Sequence, residues 1–147
     1  MDQTLFLVFQ LFVLIFSVMI HEISHGAVAL RLGDQTAKLA GRLTLNPLRH
    51  LDLFGSFLLP IALWIVSSGS VVFGWAKPVP YNPLNLRNPK AGAGIIALAG
   101  PLSNMLVALV FSAVSRIAEG GDLLQGGILF LLHVIVIMNI LLAIFNL

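Results

Sequence analysis

The chain has 147 residues, 59% hydrophobic and only 10% charged, with a net charge of +2 and a mean hydropathy of +1.01. Soluble domains carry roughly a quarter charged residues, so this composition excludes an ordinary soluble fold and points to the bilayer. The few basic residues are scattered, which excludes the dense basic stripe of a nucleic-acid binder, and the absence of cysteine excludes a disulfide framework, a thiolate nucleophile and a thiolate ligand.

The opening MDQT lacks a basic region and runs into TLFLVFQLFVLIFSVMI at 4–20. No small-residue cleavage site follows, so the segment reads as a retained membrane helix and not a signal peptide. A span needs about 20 apolar residues. Three stretches meet that length: 4–31, 94–117 and 123–147. A fourth, FGSFLLPIALWIVSSGSVVFGW at 54–75, is long enough but broken by Pro60 and the SSGS run. It reads as a re-entrant hairpin in preference to a full crossing, because the hairpin keeps both basic loops, 31–53 and 75–93, on one face. In the loops, TAKLAGRLTLNP at 36–47 alternates apolar and polar residues near its end and predicts a short strand or hairpin. GWAKPVPYNPLNLRNP at 74–89, with Pro78, Pro80, Pro83 and Pro89, predicts an extended surface loop. The expected fold class is an all-α polytopic membrane protein: three transmembrane helices, a re-entrant or fourth membrane segment, and a short β loop. One membrane-embedded domain accounts for residues 1–147.

The first apolar run ends in HEISHG, residues 21–26. Ionisable groups are costly in hydrocarbon and usually mark function. On a helix, residues four apart share a face, so His21 and His25 can reach one ion. Imidazole nitrogen suits zinc. Glu22 follows the first ligand and can take a proton from a zinc-bound water, the chemistry of a metallopeptidase.

HEISH, with NPLRHLDLFGS at 46–56, GWAKPVPYNPLNLRNP at 74–89, ALAGPLSN at 97–104 and NILLAIFNL at 139–147, resembles the site-2 proteases. These are zinc metalloproteases that cut within membranes. The likeness covers nearly the whole chain and is to the compact bacterial and archaeal branch. It implies that His21 and His25 bind Zn2+, that Glu22 is the catalytic acid/base, and that Asn104 of the GPLSN segment lines the site. It implies a transmembrane protein as substrate and a bacterial or archaeal cell membrane as location, while the loop charges predict an active site toward the cytoplasm. The family's third ligand is an Asp in a Leu-Asp-Gly motif a few residues beyond Phe-Asn-Leu, and this sequence stops at Phe145-Asn146-Leu147. The expectation is therefore a C-terminally truncated fragment. The alternative function is an inactive fragment or pseudoprotease that binds transmembrane partners. His50, in NPLRHLD, is the best internal substitute for the missing ligand, and its plainer reading is a site-lining or structural loop residue. His133 is expected far from HEISH, as an interhelical hydrogen bonder.

Overall fold

The computed structural model describes residues 2–68, 76–121 and 126–146. Three helices are long and apolar enough to cross a membrane: α1 (Gln3–Arg31), α4 (Pro89–Gly120) and α5 (Gly126–Phe145). Between α1 and α4 lie a single helical turn, α2 (Thr36–Leu39), and α3 (Leu59–Val66). A π-helical segment, Leu53–Leu58, leads into α3. Short 3-10 turns occur at Pro47–Arg49 and Pro83–Asn85.

Side-chain pairs fix the directions of the long helices. On α1 and α4, His21 meets Asn104 and His25 meets Ile96, so rising numbers face falling ones and the two run antiparallel. On α1 and α5, Phe6 stacks near Phe130 with ring centroids 5.5 Å apart, and Ser17 bonds Asn139, so these two run parallel. The contact between α1 and α4 is lined by small residues. Ala29 is fully buried, and Gly92 and Gly100 let Leu86 and α1 approach the α4 backbone. Small residues matter there because helices in lipid associate through close packing and not through a hydrophobic drive. Deeper in the bundle, the Asn139 amide donates to Ser17 Oγ at 3.0 Å and to Ile135 O at 2.9 Å. At the other end, His133 Nε2 lies 3.7 Å from Glu119, pairing α5 with α4 away from HEISH.

The antiparallel packing of α1 on α4 puts Arg31 and Pro89 at the same end of the bundle. The connecting segment therefore begins and ends on one face, and a single crossing at 54–75 does not fit. The described helix there is also short. The six residues of Leu53–Leu58 and eight of Leu59–Val66 rise about 21 Å at 1.5 Å each, less than the ~30 Å hydrocarbon core. It ends at Val66, and Ser68 beyond it has a φ of 52°. The return half of the expected hairpin, 69–75, lies outside the described residues.

The strand expected in 36–47 is a correction. No strand occurs among the described residues, and Thr36–Leu39 is helical. A strand needs a partner for its backbone groups, and here they are satisfied locally. Leu39 N–H donates to Gln35 O, Ala40 N–H to Thr36 O and Arg42 N–H to Ala37 O. Gly41, at φ 64°, makes the left-handed turn that glycine favours. Further on, Thr44 O accepts from His50 and Thr44 Oγ1 accepts from the Asn46 N–H. Alternation arose from a wound loop, not a ladder.

The proline-rich loop is tied down by a carboxylate. Asp34 is fully buried. Its Oδ1 accepts from Thr36 N–H, Thr36 Oγ1 and Asn85 Nδ2, and its Oδ2 from Asn82 N–H. Burial alone would raise its pKa, but the bonds from Thr36, Asn85 and Asn82 outweigh it and hold the carboxyl at about 2 against an ordinary 3.8. A depressed carboxylate stabilises the fold above its unfolded pKa and loses that contribution as pH falls through its folded one. Asp34→Ala is expected to destabilise the detergent-solubilised chain by about 2 kcal/mol at pH 7. The gap from the unsubstituted chain should close between about pH 4 and pH 2, as read by thermal unfolding.

Candidate metal and peptidase site

His21 is buried at 6% exposure, while Glu22 and His25 are half-buried. The helical repeat brings the two imidazoles together, with centroids 4.7 Å apart and planes 83° apart. Both face the α4 backbone at Gly100. A Cβ built there would overlap His21 Nε2, and would stand 2.5 Å from His21 Cε1 and from His25 Nε2. The two Nε2 atoms thus converge on one small space that only a glycine leaves open.

The ring protons follow from the bonds. His25 Nδ1 lies 2.6 Å from Ile96 O. A carbonyl only accepts, so Nδ1 carries the hydrogen and Nε2 keeps its lone pair. The Asn104 amide meets His21 Nδ1 at 3.2 Å, with Nδ2 as the near atom. Asn104 Oδ1 is then buried without a partner among the described residues. In that orientation the amide donates, and a neutral His21 holds its proton on Nε2. Half a turn of the amide brings Oδ1 to His21 instead. Nδ1–H then donates to it, and Nε2 is free to ligate. With that orientation both imidazoles present lone pairs to the space over Gly100, and the pair fits a zinc ion through nitrogen.

Glu22 is held on its other side. Its Oε2 accepts the main-chain N–H of Val79 at 2.8 Å. Val79 packs close because residue 26 is glycine. A Cβ at Gly26 would come within 2.7 Å of Leu43 Cδ2 and 2.8 Å of Val79 Cγ1. The last letter of HEISHG thus admits the proline-rich loop to the site.

The sequence-predicted residues fall into two groups. His21, Glu22, His25 and Asn104 come together. His50 makes no bond to them: its Nε2–H donates to Thr44 O at 2.9 Å, and its Nδ1 is buried without a partner among the described residues. No group of three His, Cys, Asp or Glu side chains stands close enough to share a metal among the described residues, so His50 does not complete the pair. Asp52 instead caps the turn at Phe54 and Gly55. Three participants carried no usable sequence signal. Val79 acts through its backbone. Gly100 acts through its lack of a side chain, which is what admits the imidazoles. Ser17, one turn from His21 on the buried face of α1, accepts from Asn139 of α5, and the only mark of Asn139 was polarity within an apolar run.

Two curated relatives are similar to this chain. "Putative zinc metalloprotease YwhC" of Bacillus subtilis (strain 168) is 37% identical over 139 residues, covering 91% of this chain and 59% of the relative. "Putative zinc metalloprotease Rip2" of Mycolicibacterium smegmatis (strain ATCC 700084 / mc(2)155) is 32% identical over 101 residues, covering 68% of this chain and 37% of the relative. The chain is thus similar to proteins named as zinc metalloproteases. It spans 59% of the length of the first of these relatives and 37% of the second. No family model matches the chain, and no solved structure does.

Gly100→Ala is expected to force the imidazoles apart. Overpacking of this kind costs about 1–3 kcal/mol. The variant should retain its helical circular dichroism while its metal content, by mass spectrometry after purification, falls at least about tenfold.

Proposed function

We propose that the chain is the HExxH-bearing part of an intramembrane zinc endopeptidase that hydrolyses peptide bonds in or near transmembrane segments of protein substrates. The observation that carries this reading is the convergence of His21 Nε2 and His25 Nε2 over Gly100, with Glu22 between them in sequence. His21 and His25 would hold the zinc. When bound, zinc supplies Lewis acidity, which polarises a carbonyl and acidifies water.

The chain's own groups account for the rest. Glu22 takes a proton from the attacking water at the carboxylate and delivers it to the departing amine nitrogen. Ile96 O and Asn104 hold the two imidazoles in one tautomer and orientation. A position one-third of the way along α1 from its Arg31 end keeps bulk water away from the substrate's other amides. The basic residues exposed at that end, Arg31, Lys38, Arg49, Lys77, Arg87 and Lys90, support a cytoplasmic orientation by the positive-inside rule.

The test is zinc content and cleavage of a reconstituted transmembrane peptide by the unsubstituted chain, His21→Ala and Glu22→Gln. His21→Ala should lose the metal. Glu22→Gln should keep it and lose cleavage by about 10²–10⁴-fold. Cleavage by Glu22→Gln at the unsubstituted rate would sink the reading.

A further inference from the structure

Pro78-Val79-Pro80 offers a single main-chain N–H in three residues, because neither proline carries one. That N–H goes to Glu22 Oε2 at 2.8 Å. The surrounding bonds all hold Val79 at this point. Upstream, Lys77 N–H donates to His50 O at 2.9 Å, and the Arg42 guanidinium reaches Pro78 O at 3.3 Å and Lys77 O at 3.5 Å. Arg42 itself is buried at 6% exposure. Downstream, Asn82 N–H and Asn85 Nδ2 are gripped by the buried Asp34 carboxylate at 2.8 Å each. The Val79 side chain, 8% exposed, sits against the space that Gly26 leaves.

We infer that this segment is a clamp for the catalytic carboxylate, in which the Val79 N–H is a positioning group that fixes Oε2 of Glu22 and leaves Oε1 to exchange protons. The inference rests on the peptidase reading and deepens it. A free Glu side chain has several rotamers to lose before it can act, and ordering it in advance removes that cost from the reaction. A hydrogen bond to an ionised carboxylate is stronger than a neutral one. The flanking prolines keep the donor from being recruited into a strand or helix. Tethers on both sides of Val79 make the segment a fixed wall of the site.

Two measurements decide it. The first is hydrogen exchange of the detergent-solubilised full chain. The Val79 amide should be protected, and should exchange at least about tenfold faster in Glu22→Ala, while the Asn82 amide, bonded to Asp34, is unchanged. A Val79 amide that exchanges freely, or that ignores Glu22→Ala, overturns the clamp whether or not the chain cleaves anything. The second replaces the Val79 amide by an ester, which deletes the N–H and keeps the side chain. Metal content and KM should hold within about twofold, while kcat falls at least about tenfold. An unchanged kcat overturns the positioning role. If the unsubstituted chain cleaves no peptide while Val79 shows the expected exchange, the peptidase reading has failed and the contact has not.

Discussion

The close approach of α1 to α4 at Gly100 is the constraint on which the site depends. Two imidazoles from α1 occupy the volume that any side chain at position 100 would need. Everything that orients them is drawn from the same stretch of α4: Ile96 O one turn before, and Asn104 one turn after. Pro101 sits inside this stretch. Lacking an N–H, it removes one helical bond to the preceding turn. Thus one helix supplies the chemistry, and the other supplies a bare patch of backbone with its orienting groups on either side.

A second layer supports the first from the bundle's basic end. Asp34 gathers four donors from two segments and fixes the proline-rich loop against the end of α1. That loop returns to the site at Val79. The fold thus links a buried carboxylate outside the bilayer-crossing helices to the carboxylate within HEISHG, through the four residues from Val79 to Asn82, which include Pro80. Leu86, further along the loop, packs with Ala29 and Ile96 and locks the same loop against both helices.

What was legible in the sequence was what chemistry restricts most. HEISHG stood out because ionisable groups are rare in hydrocarbon, and Asn104 followed from the resemblance carried by GPLSN. The three long helices followed from length and apolarity alone, with α4 reaching five residues earlier than the expected start at 94. Hidden from the sequence were interactions made by backbone or decided by tertiary partners. Val79 is an apolar residue whose N–H does the work. Asp34, just past the first span in sequence, is fully buried, and its partners lie about fifty residues away in the proline-rich loop. The alternation around Leu43 and Leu45 suggested a strand, but Asn46, like Asn82 later in the chain, starts a tight Asn-Pro-Leu turn by accepting the N–H two residues on. Local side-chain bonds of this kind compete directly with sheet pairing.

The unequal lengths of the helices carry a mechanical consequence. α1 has 29 residues, α4 has 32 and α5 has 20, or about 44, 48 and 30 Å at the helical rise. Only α5 matches a ~30 Å hydrocarbon core, so α1 and α4 must tilt or project. His21 lies ten residues before Arg31, about 15 Å from the end of its helix. A thicker bilayer draws that level into hydrocarbon, and a thinner one lifts it toward the headgroups. Hydrophobic mismatch therefore becomes a control on how much water the imidazole pair meets, set by the lipid and not by any residue of the site.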